Sequence, residues 1–237
     1  MKQKLPKGMF SFILLTLLLL SGRLQAGEQP LPAMWIPSTL ETIHVDGRLT
    51  EGSWREAARV VLRDNHTGGQ LAHPTIVRLI RRQDVLYVGF FCADDEAKAE
   101  MTKRDDELWR EEAVEIFLDP TGEGREYLEI EVNPRGALYD GWVEYGPNID
   151  FDRAKAFDLA SVRVAAQVQR RGRAGVMKSW TCEIAIPLTE LPAKIHGTFR
   201  LNLTRVDHIE GKHHYQAWSP TYRWFHAPEK FGSAHFR

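Results

Sequence analysis

Hydrophobic and polar positions alternate in short runs along most of the chain. The clearest run is Ala113–Asp119. Val114, Ile116 and Leu118 fall on one face of an extended strand there, and Glu115, Phe117 and Asp119 on the other. Tyr127–Val132 repeats the pattern, with Leu128, Ile130 and Val132 facing a core and Glu129 and Glu131 opposite. Thr75–Arg82 and Val85–Ala93 read as a hairpin around Gln83-Asp84. Further strands are predicted over Thr42–Val45, Ala137–Glu144, Val162–Gln169, Met177–Ile186, Phe199–Val206, His214–Trp218 and Phe231–Phe236. Turns fall at Asp46-Gly47, Pro120–Gly124, Pro134-Arg135-Gly136 and Arg171–Gly175. Asn65–Ala72, Asp94–Met101 and Gly146–Lys155 read as loops. Helix is scarce. Thr50 is placed to cap a short helix over Glu51–Ala58 that buries Trp54, and Pro187–Leu191 reads as a single helical turn. Short alternating strands with so little helix predict an all-β, antiparallel β-sandwich (jelly-roll or immunoglobulin-like) with one or two short helices.

The first 26 residues break this pattern. Lys2, Lys4 and Lys7 precede an apolar run, Met9–Leu20, and Leu24-Gln25-Ala26 offers a cleavage site. The run is too short for a comfortable membrane span. A signal peptide over residues 1–26 is therefore predicted, with an uncleaved N-terminal anchor as the alternative. The mature protein is expected to be exported, periplasmic or extracellular, with no membrane partner after cleavage. Residues 27–38 contain three prolines from Glu28 to Ser38 and read as a linker, which leaves 39–237 as a single domain. About 210 residues suit one all-β domain with a sizeable core.

Charge narrows the partners. Removing Lys2, Lys4, Lys7 and Arg23 takes Lys+Arg from 31 to 27 against 32 acids, a net charge near −5. That excludes nucleic acid and anionic membrane surfaces as expected partners, while leaving neutral ligands open. The two cysteines, Cys92 and Cys182, both fall at core-facing strand positions. One disulfide and two buried thiols fit this pattern equally.

The candidate chemistry gathers at Arg104–Pro120, RDDELWREEAVEIFLDP. Trp109 just ahead of the strand and Glu115 on its non-core face would set a flat apolar surface beside a hydrogen-bond acceptor, which suits a sugar ring. The same residues also fit a Trp that plugs the end of a sandwich and a solvated Glu. The stretch resembles the signature of carbohydrate-binding module family 9 and its family-9-like relatives: Trp109, Glu111, Glu112, then Val114-Glu115-Ile116-Phe117-Leu118-Asp119. Ile43–Trp54, Asp84–Asp94 and Trp224–Phe236 resemble three further blocks of that family in the same order.

This resemblance implies a non-catalytic domain in which two tryptophans sandwich a sugar. Trp109 matches one, and Trp224, in the Trp224-Phe225-His226-Ala227-Pro228 block, matches the other, with one extra residue before the proline. Glu115 matches the family's carboxylate. Glu131 stands where characterised modules place an arginine, and Tyr222 where they place an asparagine. Arg104, Arg205 and Trp218 are the candidates to restore the missing donors and aromatic surface. An oligo- or polysaccharide is the implied partner, supporting carbohydrate catabolism beside a glycoside hydrolase partner.

Other chemistries have weaker signals. Glu111, Glu112, Glu115, Glu129 and Glu131 invite a two-carboxylate glycosidase reading, but nothing singles out one acid held protonated. Asp94, Asp95, Glu96, Asp105, Asp106 and Glu107 supply hard oxygen ligands, and the resemblance leaves room for structural Ca2+, with no other cofactor implied. His208, His213, His214, His226 and His235 lack zinc spacing. The related DOMON-like domains include haem-binding electron-transfer proteins, so Met101, Met177 and the histidines set the competing expectation: a redox or protein-interaction module that does not bind sugar.

Overall fold

Two β-sheets packed face to face bury the inward halves of the alternating strands, as their periodicity requires. This architecture comes from a computed structural model that describes residues 30–169 and 178–237. The predicted leader Met1–Ala26 and the predicted turn Arg171–Gly175 lie outside the described residues. The sandwich proper is Leu31–Arg237. Its strands, in chain order, are β1 Ala33–Ile36, β2 Ala58–Val61, β3 Arg63–Asp64, β4 Thr75–Arg82, β5 Val85–Ala93, β6 Ala113–Asp119 and β7 Glu126–Val132. They continue as β8 Leu138–Glu144, β9 Arg163–Gln169, β10 Ser179–Pro187, β11 Thr198–Ile209, β12 Lys212–Ala217 and β13 Gly232–Phe236.

One sheet has the order β1-β13-β11-β6-β7-β8, with β12 and β3 added beside β11; the other runs β2-β4-β5-β10-β9. Val114, Ile116, Leu118, Leu128, Ile130, Leu201 and Leu203 of the first sheet meet Val77, Leu79, Val88, Phe90, Cys182 and Ile184 of the second. Among the described strands every pairing is antiparallel except that of β1 with β13, and an isolated parallel bridge joins Ser38 to Arg81. No described helix is long and apolar enough to cross a membrane.

Several local expectations need correcting. Thr42–Val45 forms no strand; the first strand is Ala33–Ile36, inside the segment read as a linker. Met34 and Ile36 are buried there, which prolines on either side do not prevent at a sheet edge. The first helix spans Ser53–Glu56 alone, and Thr50 does not cap it. Glu41 instead accepts the backbone N–H groups of Gly52 and Ser53. Trp54 is buried as expected and donates to Glu183 at 3.0 Å. Its ring and the Leu49 side chain both crowd Gly89, where an added Cβ would lie 3.2 Å from the indole and closer still to Leu49 Cδ2. Cys92 and Cys182 are both buried free thiols, and burial pushes both well above the usual thiol range.

Candidate functional site

The outer face of the larger sheet carries the polar half of the alternation, and its carboxylates Glu115, Glu129 and Glu131 are buried. On β6 and β7 the Cα register sets Glu115 opposite Glu131 and Phe117 opposite Glu129. On β7 and β8 it sets Glu131 opposite Tyr139 and Glu129 opposite Gly141. On β11, Thr204 and Val206 lie beside Glu115 and Ala113. Phe225 and Phe231, from the segment before β13, fold over this face and bury Phe117 and Tyr127 with it. Beyond them the face opens as a cavity of about 650 Å³. Glu115, Glu129, Glu131, Tyr139 and Val206 line it from the sheet, and Trp109, Phe151, Tyr215, Trp224 and His226 from the segments around it.

Both tryptophans that line the cavity are half exposed, Trp109 at 50% and Trp224 at 52%. Trp109 sits in a short 3-10 turn, Leu108–Arg110, anchored by the buried Leu108. The Arg110 guanidinium lies 4.9 Å from the Trp109 ring centroid and is paired with Glu107 at 3.0 Å. Trp224 is held by Asn65, which is buried under its loop. Asn65 accepts from the Thr221 N–H at 2.9 Å and donates to the Arg223 carbonyl at 2.6 Å. The Tyr222 N–H donates to the Asn65 carbonyl at 3.0 Å, with Tyr222 in the left-handed region at φ 62°.

The floor is electrostatically unusual. Burial pushes Glu115 up to about 8, opposed by a 3.0 Å hydrogen bond from the Thr204 hydroxyl. Burial, then the neighbouring Glu115, holds Glu129 well above the usual carboxylate range, and the same causes act on Glu131 together with Glu129 itself. Glu129 Oε2, Glu131 Oε2 and the Tyr139 hydroxyl are buried and have no hydrogen-bond partner among the described residues. His226 lies 3.4 Å from Glu129 through Nε2 and 2.8 Å from the Tyr127 hydroxyl through Nδ1. Burial pulls His226 down to about 4, so it faces Glu129 as a neutral ring at physiological pH.

Of the six residues the sequence nominates, Trp109, Trp224 and Glu115 meet in this cavity. Three do not. Arg205 shares the inward parity of Leu201 and Leu203 and is fully buried between the sheets. Its guanidinium bonds Glu112 at 2.5 Å, Asp94 at 2.6 Å and Asp207 at 2.9 Å, so it has no donor left for a ligand in the cleft. Trp218 is core: an added Cβ at Gly232 would lie 2.6 Å from its ring. Arg104 pairs with Asp140 at 2.5 Å and Asp158 at 2.7 Å and does not line the cavity. Tyr139, Tyr215, Phe151 and His226 were not nominated. His226 had a signal, two residues after Trp224; Tyr139 and Tyr215 lie on strands and Phe151 opens the short helix Phe151–Ala154, and their closeness is purely tertiary.

The metal expectation meets the same arginines. Two carboxylate triplets among the described residues bring their oxygens within 4.8 Å of one another: Asp94, Glu112 and Asp207, and Asp105, Asp140 and Asp158. Arg205 occupies the first, and Arg104 bonds two of the three acids of the second. A guanidinium already supplies the positive charge in each, so neither set fits Ca2+ as it stands. Met101 packs beside Leu108, Ala137 and Tyr139 instead of lining the cavity, and Met177 lies outside the described residues.

Residues 72–236 match the family model described as Carbohydrate-binding family 9. No curated protein sequence matches the chain. A Bacteroides uniformis protein described as a candidate carbohydrate-binding protein superposes with a TM-score of 0.66 at 15% identity, covering 88% of this chain and all of that one. A carbohydrate-binding module of family 9 from Caldicellulosiruptor kristjanssonii, solved with cellotriose, gives 0.61 at 14% identity, covering 86% and 93%. The same organism's family 9 module solved with glucose gives 0.59 at 14%, covering 86% and 95%. At these identities the likeness is one of fold.

Proposed function

The chain belongs to carbohydrate-binding family 9, and from that premise we propose that it binds a sugar in the cleft lined by Trp109 and Trp224, without cleaving it. The carrying observation is that two indoles, distant in sequence, stay half exposed on one cavity while most other large aromatics are buried. A hexose presents apolar C–H faces that can stack on such rings, and hydroxyls that the Glu115, Glu129 and Glu131 carboxyls below can hydrogen-bond. Stacking contributes roughly 1–3 kcal/mol per ring by analogy with bases on aromatic side chains. With a few hydrogen bonds that reaches about micromolar affinity. The family 9 structures holding glucose and cellotriose support a neutral hexose or glucan end as the first ligand to test. The leader read from the sequence supports export, where such a domain would hold carbohydrate for a hydrolase partner.

Calorimetric titration of glucose and cellotriose into the wild type, Trp109→Ala and Trp224→Ala tests this. Each variant should weaken binding by about tenfold or more, one stacked ring's contribution. Its Tm should stay within roughly 2 °C of wild type, because a half-exposed side chain leaves little packing to lose. Unchanged affinity in both variants would remove the stacking role. A Tm loss of many degrees would make the ring a packing element.

A further inference from the structure

The cleft floor holds more acid than its own surroundings neutralise. Glu115, Glu129 and Glu131 are all buried there, and no Lys or Arg among the described residues lies within ion-pair distance of any of them. The cations nearest the opening are committed elsewhere: Arg110 to Glu107, Lys155 to Asp152 at 2.5 Å, and Arg223 to Glu229. His226 is the one basic side chain touching the set, and burial keeps it neutral. Elsewhere the fold closes its acidic groups around an arginine, as at Arg205 and Arg104. On this floor it does not. Glu129 and Glu131 are each left with a buried, unpartnered oxygen, beside an equally unpartnered Tyr139 hydroxyl. Buried polar atoms are nearly always paired in a folded protein, so an arrangement of this kind calls for a ligand that supplies donors.

The missing partner has a definable chemistry. A cation that carries several N–H donors and tolerates an aromatic wall would both pair these oxygens and balance the carboxylates once they ionise. A protonated primary amine meets all three: it offers three donors, and indole faces attract it. A single divalent ion fits less well, because the floor carboxylates do not converge as the two arginine-filled triplets do. We propose that the cleft selects a hexose bearing a protonated amine, such as a 2-amino-2-deoxyhexose, with the ammonium on Glu131 and Glu129 and the ring against Trp109 and Trp224. This rests on the sugar-binding reading above and names the class of sugar. Binding moves only protons. The ammonium replaces protons that the floor carboxyls carry when the cleft is empty, and these pass to solvent.

The experiment compares glucosamine, N-acetylglucosamine and glucose by calorimetry at about pH 6.5, below the ~7.7 at which an α-amino-like group loses its proton. The amine should bind at least about tenfold tighter than glucose. N-acetylation, which removes the charge, should abolish that advantage. The amine's apparent heat should vary with the ionisation enthalpy of the buffer, reporting proton release, and the heat for glucose should not. In Glu131→Gln and Glu129→Gln the amine-to-glucose affinity ratio should fall toward one; two variants guard against either failing to fold. A wild-type ratio near one, or a ratio unchanged in both variants, overturns the proposal. If glucose binds and Trp109→Ala abolishes it while the ratio stays near one, the stacking cleft stands and this inference alone falls. If none of the three sugars binds, both fall together.

Discussion

Glu115 accepts one hydrogen bond, from Thr204, in a place where burial pushes its carboxyl from 4.5 up to about 8. The folded protein therefore holds a proton that the unfolded chain has already released between those two values. Stability from this group is greatest below the unfolded pKa and falls as pH rises toward 8. Glu115→Gln mimics the protonated carboxyl and removes that slope. Thermal melts from about pH 5 to pH 8 should find the variant close to wild type at the acid end and progressively more stable toward the alkaline end. A constant offset across the range would mean that Glu115 titrates normally. The alternation placed Glu115, Glu129 and Glu131 on one face, but alternation reports direction and not cover. Whether an outward carboxylate meets water depends on what the rest of the chain lays over it. Arg205 is the opposite case. Its parity with Leu201 and Leu203 already pointed inward, and a charge at a core position is stable only with partners such as Asp94 and Glu112, which lie far away in sequence.

At the scale of elements, the hairpin of β4 and β5 and the strand β6 match their predicted bounds to the residue, because β6 alternates cleanly and β4 and β5 are apolar runs bounded by the Gln83-Asp84 turn. The loop that presents Trp224 has no such pattern. It is shaped by Asn65, which bonds Thr221 and Arg223 more than 150 residues away. Asn65→Ala would leave the Thr221 N–H and the Arg223 carbonyl without their buried partner, a cost of about 1–3 kcal/mol. Sugar affinity should fall along with a Tm loss of a few degrees, and Asn65→Asp, which keeps the acceptor, should lose less of both. Full affinity in Asn65→Ala would show that Trp224 does not need this clamp. The strand predicted at Thr42–Val45 failed for a related reason. Asp46 and Gly47 donate their N–H groups to Glu183 at 2.8 Å, and that tie places the segment against the smaller sheet without a β-ladder.

At the scale of the whole molecule, the two ends of the described sandwich meet: β1 lies in parallel on β13, which pairs with β11. A protein starting at Thr39, the boundary the proline pattern suggested, would lose the buried Met34 and Ile36. At about 1.5–3 kcal/mol each, this should lower Tm by roughly 5–15 °C relative to a protein starting at Pro30. Equal melting temperatures would return the boundary to residue 39. The sequence alone determined the sandwich, the inward half of its main strands and the family motif, and it nominated the two indoles without deciding whether they are buried. Those follow from short-range periodicity and from residue types at fixed spacing. Only the tertiary structure decided that Phe225 and Phe231 cover Phe117 and Tyr127 on the outer face, that the carboxylates beside them are buried at the floor of a cleft, that Arg205, Trp218 and Arg104 serve the interior or its ion pairs, and that Tyr139 and His226 join the cleft. Burial and electrostatic pairing are set by which distant segments cover a strand, and no local pattern encodes that.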